Sequence, residues 1–166
     1  MPIERIKECF LFYQYSNAEI EEILRLAREQ TFTPNEKIIE KSKMNEHLWI
    51  LIEGKVVVRE RTANGLDMNL HLMMPGELFG EYSFVDSVQA SADVVALELT
   101  RVIRFSFHDL AAFFSRYPTC ELKTFKQLAR LMSRRLRNAN RELKKSFMAS
   151  MTWDQSHTES STLSEK

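Results

Sequence analysis

Only four glycines occur in 166 residues, and two of them, Gly76 and Gly80, fall inside the single stretch Pro75-Gly76-Glu77-Leu78-Phe79-Gly80-Glu81. Glycine allows positive φ or a close backbone approach, so a chain this sparing with it marks its tightest turns. The residues that follow, Tyr82 to Asp86, are suited to one helical turn. A turn that opens a helix gathers several unpaired amide N–H groups, and such a place accepts an anion with no catalytic residue. The stretch therefore reads either as a phosphate cradle or as a tight Pro-Gly turn between two strands.

Apolar residues make up 44% of the chain and include 11 Phe, enough to fill the core of one domain. No apolar run approaches the ~20 residues of a membrane span, and Met1-Pro2-Ile3-Glu4-Arg5 is not a secretion signal, so a cytoplasmic protein with no membrane attachment is expected. Cys9 and Cys120 lie far apart without metal-ligand spacing and read as buried thiols. His47, His71, His108 and His157 are scattered, and neither a Gly-x-Ser-x-Gly nor a Walker pattern occurs. Neither a metal site nor an enzyme is expected.

Ser16-Asn17-Ala18-Glu19 has the form of a capping box, and Ile20, Ile23, Leu24 and Leu26 continue at helical spacing up to Arg28. Beyond the turn Thr33-Pro34-Asn35-Glu36, short strand candidates follow one another: Lys37–Glu40, Leu48–Ile52, Val56–Arg59, Asn69–Met74, Asp93–Leu97 and Val102–Phe107. Asn64-Gly65 marks a hairpin between two of them. Strands at such short intervals predict a barrel or jelly roll. Ser106-Phe107-His108-Asp109 resembles a second capping box, with Asp in place of Glu, and Tyr117-Pro118 divides two C-terminal helices.

The last helix, expected over 119–147, carries Leu122, Phe125, Ala129, Met132, Leu136, Ala139 and Leu143 in alternating 3-4 spacing, a coiled-coil seam that predicts a homodimer. Leu128 and Leu131 lie off this seam, so the first half of the helix has a second apolar face. Thr119 to Phe147 holds nine basic and two acidic residues; with 23 of each sign in the chain, the helix carries +7 and the remainder −7. The mostly polar segment 148–166 is expected to be a disordered tail after a domain spanning 1–147. Too few residues follow the seam for another domain, so specific DNA reading is not expected. An acidic protein is a possible partner for the basic helix.

The N-terminal helix, the roll with Gly54 and Gly65 at its turns, the Pro75–Glu81 motif and the two final helices together resemble the cyclic nucleotide-binding domains of the catabolite-activator and kinase-regulatory-subunit type, over about Ile6 to Arg137. The resemblance implies an α+β fold: a β-roll, or double-stranded jelly-roll barrel, with an N-terminal helix and a long C-terminal dimerisation helix. It implies that a cyclic nucleotide, cAMP or cGMP, meets the backbone after Gly80 while Glu81 binds the ribose 2′-hydroxyl. Asn35 stands where the family often has another glycine, and Asn tolerates the left-handed conformation.

The family's phosphate-pairing arginine would fall at Ala90 or Ser91, and between Asp67 and Arg101 there is no Lys or Arg at all, whereas Glu77, Glu81, Asp86, Asp93 and Glu98 are acidic. Losing a charge-assisted contact of about 1.5–3 kcal/mol weakens binding by roughly one to two decades. Candidate ligand contacts are thus Gly80, Glu81, Tyr82, Ser83, Gln89, Ala90 and Ser91, with Arg130 or Arg134 of the final helix as alternative countercharges. Two readings remain: a nucleotide-sensing regulatory module, and a ligand-independent scaffold of the same fold that binds a partner protein.

Overall fold

The computed structural model describes residues 9–62 and 64–162, with side chains through 148. The chain divides into two compact units, Met1–Gln127 and Leu128–Lys166. In the first, a 3-10 turn at Phe10–Phe12 leads to helix α1 (Asn17–Leu24), strands β1 (Arg28–Phe32), β2 (Lys37–Ile39), β3 (His47–Glu53), β4 (Val56–Arg61), β5 (Asp67–Met73) and β6 (Leu78–Phe79), and the short helix α2 (Glu81–Asp86). Strands β7 (Asp93–Ala96) and β8 (Thr100–Ser106), helix α3 (Phe107–Arg116) and helix α4 (Pro118–Thr162) complete the order, with α4 running on into the second unit.

The strands form two antiparallel four-stranded sheets, ordered β1-β8-β3-β6 and β2-β7-β4-β5, which is the expected β-roll. Their inner faces meet in one cluster: Phe32, Trp49, Leu51, Phe79 and Val102 from the first sheet, and Ile39, Val56, Met73, Val94 and Ala96 from the second. Leu48 to Ile52 are all buried, which accounts for the absence of alternation in that run. The opposite face of the first sheet is covered too: Phe12 meets Phe105 with ring centroids 6.1 Å apart, and Leu48, Ile50 and Ile103 are fully buried.

The Ser16–Glu19 capping box is present in both directions, and β4 and β5 form the hairpin expected at Asn64-Gly65. Asn35 adopts φ 70°, as its place in the turn anticipated. Two local expectations need correction. Helix α1 ends at Leu24, and Arg28–Phe32 form an edge strand paired with β8. Its sequence Arg-Glu-Gln-Thr-Phe buries only Phe32, so it carried no apolar alternation to read. Ser106 does precede α3, but its side chain makes no capping bond; Phe107 N instead donates to Glu46 O at 2.9 Å, and Asp109 lies 3.5 Å from His108. Pro75-Gly76 turns between two strands, β5 and β6, as one reading of the stretch had it, and β6 pairs with Trp49 and Ile50. The backbone of α4 runs to Thr162, and most of the expected tail, residues 149–166, lies outside the residues whose side chains are described.

Candidate functional site

The two glycines of the stretch serve different ends. Both have positive φ, 92° at Gly76 and 82° at Gly80, but a β-carbon at Gly76 would meet nothing within 4 Å. At Gly80 it would lie 2.7 Å from His47 O, 2.8 Å from Asn45 Nδ2 and 3.0 Å from Trp49 Cδ1. Gly80 is therefore required twice, by its left-handed backbone and by the strand and loop packed against it. It caps the N-terminus of α2, where Glu81 and Ser83 are buried and Tyr82 is half exposed. The helix stops at Ser87, itself left-handed at φ 57°, whose amide donates to Ser83 O at 3.0 Å; Asp86 Oδ1 accepts from Val88 N at 3.0 Å.

The following segment separates the expected contacts. Ala90 packs against the roll core, whereas Gln89 and Ser91 on either side are exposed. Ala90 is held on both sides by the β2–β3 loop: Ser42 N donates to Ala90 O at 2.8 Å, and Ala90 N donates to Lys43 O at 2.9 Å. The structure thus gathers Gly80, Glu81 and Ser83 at one turn and puts a methyl group at the inward position of 89–91.

The run of acid read from sequence is compensated in part in space. Asp93 pairs with Lys37 at 2.8 Å and accepts from Lys41 N at 2.8 Å; partial burial pushes its carboxyl pKa up, but the Lys37 and Lys41 contacts together with the nearby charges of Lys37 and Arg59 outweigh it, so the net shift is downward. Glu98 lies 3.5 Å from Lys55, and Glu77 lies 3.1 Å from His71 Nε2. The lysine partners come from β2 and from the connections after β2 and before β4, outside the segment over which charge was counted, whereas His71 lies within it.

Beside the turn, a cavity of about 330 Å³ opens between β2 and the loop before β3, lined by Ile38, Ile39, Lys43, Asn45, His47 and Trp49 among others. His47 Nε2 lies 3.0 Å from Arg104 Nη1, and burial together with that guanidinium holds the imidazole below its usual pKa. Sequence reasoning missed Asn45, whose amide reaches Gly80 O, because nothing in residues 40–46 marks one polar side chain above its neighbours.

The family model of the cyclic nucleotide-binding domain matches residues 29–117, which include both sheets, α2 and α3. The chain belongs to the cyclic nucleotide-binding domain family. Among curated relatives, the cyclic AMP receptor protein of Thermus thermophilus is 31% identical over 133 residues, 80% of this chain and 60% of that protein. The CRP-like cAMP-activated global transcriptional regulator of Mycobacterium tuberculosis is 26% identical over 68% of this chain and 48% of its own length. The chain therefore spans between about half and three-fifths of these relatives. Among solved structures, the catabolite activator protein of Thermus thermophilus superposes with a TM-score of 0.71 at 30% identity, over 81% of this chain and 62% of that one. A cyclic nucleotide-binding domain from Methylobacillus flagellatus gives 0.76 at 21% identity, over 82% and 79%.

In this cyclic nucleotide-binding domain the short helix also touches the helices that follow the roll. Phe84 lies 5.0 Å from the Phe107 ring at the start of α3 and stacks 5.6 Å from Phe125 in α4. Along α4 the seam positions Leu122, Leu136 and Leu143 are 68%, 62% and 71% exposed, and Phe125, Ala129 and Ala139 are also exposed, with Met132 half-buried. Cys120, Thr124, Gln127, Leu128 and Leu131 are buried. Near its start, α4 is tied to α1: Lys123 Nζ donates to both oxygens of Glu19 at 2.7 Å, Cys120 Sγ donates to Glu19 Oε1 at 3.3 Å, and Tyr15 Oη donates to Cys120 O at 2.8 Å and meets Thr124 Oγ1. Both cysteines are buried and unpaired, as expected. Among the described residues no group of His, Cys, Asp or Glu could hold a metal, and no helix is long and apolar enough to cross a membrane.

Proposed function

We propose that the chain is a non-enzymatic regulatory module that takes a cyclic nucleotide, cAMP or cGMP, against the Gly80–Ser83 turn and transmits its occupancy to α4. The observation that carries this reading is the left-handed Gly80 followed by the buried Glu81, at the head of α2 and inside the family match. The amides at the start of α2 face the cyclic phosphate, and Glu81 accepts from a ribose hydroxyl. Tyr82 covers the ligand, and Gln89 and Ser91 supply neutral hydrogen bonds in place of an arginine. With Ala90 at the inward position, the affinity is one to two decades below that of a site with the full ion pair. The Phe84 contacts with Phe107 and Phe125 support α2 as the element whose movement reaches the C-terminal helices.

Calorimetry with cAMP and with cGMP tests the reading. Micromolar binding that Glu81→Ala abolishes supports it; no heat at millimolar ligand overturns it. In that second case the methyl of Ala90 and the exposed apolar Tyr82, Val85 and Val88 favour the scaffold, in which this surface and the basic α4 recruit an acidic protein. We infer in addition that α4 pairs with its copy along the exposed Leu122–Leu143 seam. Light scattering coupled to size exclusion is expected to give a dimer that Leu136→Glu with Leu143→Glu dissociates, and a wild-type monomer at micromolar concentration overturns it.

A further inference from the structure

Asn45 is 8% exposed, and its amide is engaged on every side. Oδ1 accepts from the Trp49 indole N–H at 3.0 Å and from His47 N at 3.4 Å, while Nδ2 donates to His47 O at 2.8 Å and Gly80 O at 3.2 Å. Two donors and two acceptor positions are the full capacity of an asparagine side chain, and a filled buried network favours one arrangement over all others. Its partners belong to two different parts of the roll: β3, at His47 and Trp49, and the head of α2, at Gly80. Neither of the nearest small replacements reproduces the set: serine has a single O–H, and aspartate would turn an acceptor toward the two carbonyls that need a donor.

The loop that carries Asn45 also holds the far end of the same segment, through the Ser42 and Lys43 bonds to Ala90 and the Lys41 amide to Asp93. The 80–93 segment is therefore suspended from residues 41–45 at both ends. On its other side Asn45 orients Trp49, whose ring stacks on Phe79 at 6.0 Å with the planes 5° apart and meets Phe32 edge-on at 6.1 Å.

We propose that Asn45 is the positioning residue of the nucleotide site: it fixes the Gly80 turn and, through the Trp49 indole, links any movement of that turn to the aromatic stack inside the roll. The role of Trp49 as reporter rests on the reading of Gly80–Ser83 as the ligand cradle; the clamp itself does not. Occupancy of the cradle pulls on the Gly80 carbonyl, the Asn45 amide follows, and the environment of the indole N–H changes.

The test uses the full chain with Trp153→Phe, which leaves Trp49 as the sole tryptophan of the two. Asn45→Asp keeps the acceptor for the indole and removes both donors; Asn45→Ser is the milder variant should the aspartate protein fail to fold. In the absence of ligand, amide hydrogen exchange read by mass spectrometry is expected to accelerate about tenfold or more over residues 78–86 while 100–106 in β8 is unchanged, with Asn45→Ser intermediate. Equal acceleration in both segments would make Asn45 an ordinary structural residue, and no acceleration over 78–86 would remove the clamp; either overturns the proposal. With cAMP or cGMP, the parent is expected to shift its Trp49 emission on binding, and Asn45→Asp to lose about tenfold or more in affinity together with that shift. Tight binding by a folded Asn45→Asp protein, or binding by the parent with no emission change, overturns the coupling. Should the parent bind neither nucleotide at millimolar concentration, the ligand reading fails and the coupling with it, while the ligand-free exchange measurement still decides whether Asn45 clamps the turn.

Discussion

The Gly80 turn and the contact of α1 with α4 hold segments together by opposite means. At Gly80 the parts are neutral: a left-handed backbone, an asparagine amide and stacked aromatic rings. At α1 and α4 a carboxylate that already caps its own helix receives a lysine at 2.7 Å and a thiol, while the nearby Tyr15 hydroxyl donates to Cys120 O. A turn held by shape and neutral contacts is sensitive to volume. A charged contact tolerates small changes of shape and responds to protons and salt. The Glu19–Lys123 ion pair thus involves none of the residues of the turn proposed to meet an anion.

The largest effect expected to break this contrast is Gly80→Ala. The left-handed conformation and the 2.7 Å approach to His47 O together cost about 3–4 kcal/mol, whereas Gly76→Ala, with the same sign of φ and open space around it, costs about 1 kcal/mol. Urea denaturation of the two variants measures the difference, and equal midpoints would mean that packing at Gly80 contributes nothing.

Next comes Glu19→Gln, which keeps an oxygen for the Ser16 amide and removes the charge. The Lys123 ammonium holds the Glu19 carboxyl at about 2, against an ordinary 4.5, so its stabilisation is complete above pH 4.5 and is lost as pH falls toward 2. Solvent reaches both side chains, so the loss at pH 7 is about 2 kcal/mol. Wild type is expected to lose this increment between pH 5 and pH 2.5 in urea titrations while Glu19→Gln does not; parallel pH profiles would show that the contact is not electrostatic.

Tyr15→Phe is expected to cost about 1 kcal/mol, because the hydroxyl bonds to Cys120 O and Thr124 are lost from a buried site. The same melts with Tyr15→Phe and Glu19→Gln combined will show coupling between them if the cluster acts as one unit. Smallest of all is Lys43→Gln: its pair with Glu40 at 2.7 Å lies in solvent, so a change within ~0.5 kcal/mol is expected even though its backbone supports Ala90. A large loss would show that the charge, and not the backbone, supports the segment.

Much of the roll could be read directly. The Ser16 box, the Asn64-Gly65 hairpin, the Tyr117-Pro118 break and the buried run Leu48–Ile52 are local signals, and each lies where its chemistry placed it. The strand Arg28–Phe32 was illegible because an edge strand with one buried side chain has no apolar period. The charge of the glycine segment was misjudged for a related reason. Counting along the chain could not show that Lys37 and Lys55 would face Asp93 and Glu98 across strands.

The sequence alone determined that this chain makes a small-strand roll with a cradle-like turn and an apolar helical seam. Those features rest on glycine, proline and apolar spacing, which act over a few residues. Only the tertiary structure decided that Gly80 is pressed against Asn45, His47 and Trp49, that Ala90 is the inward residue of its segment, and that Glu19 finds Lys123. Each of these is a meeting of residues 31 to 104 apart in the chain or a choice of face, and both depend on how strands cross and twist, which spacing along the chain does not encode.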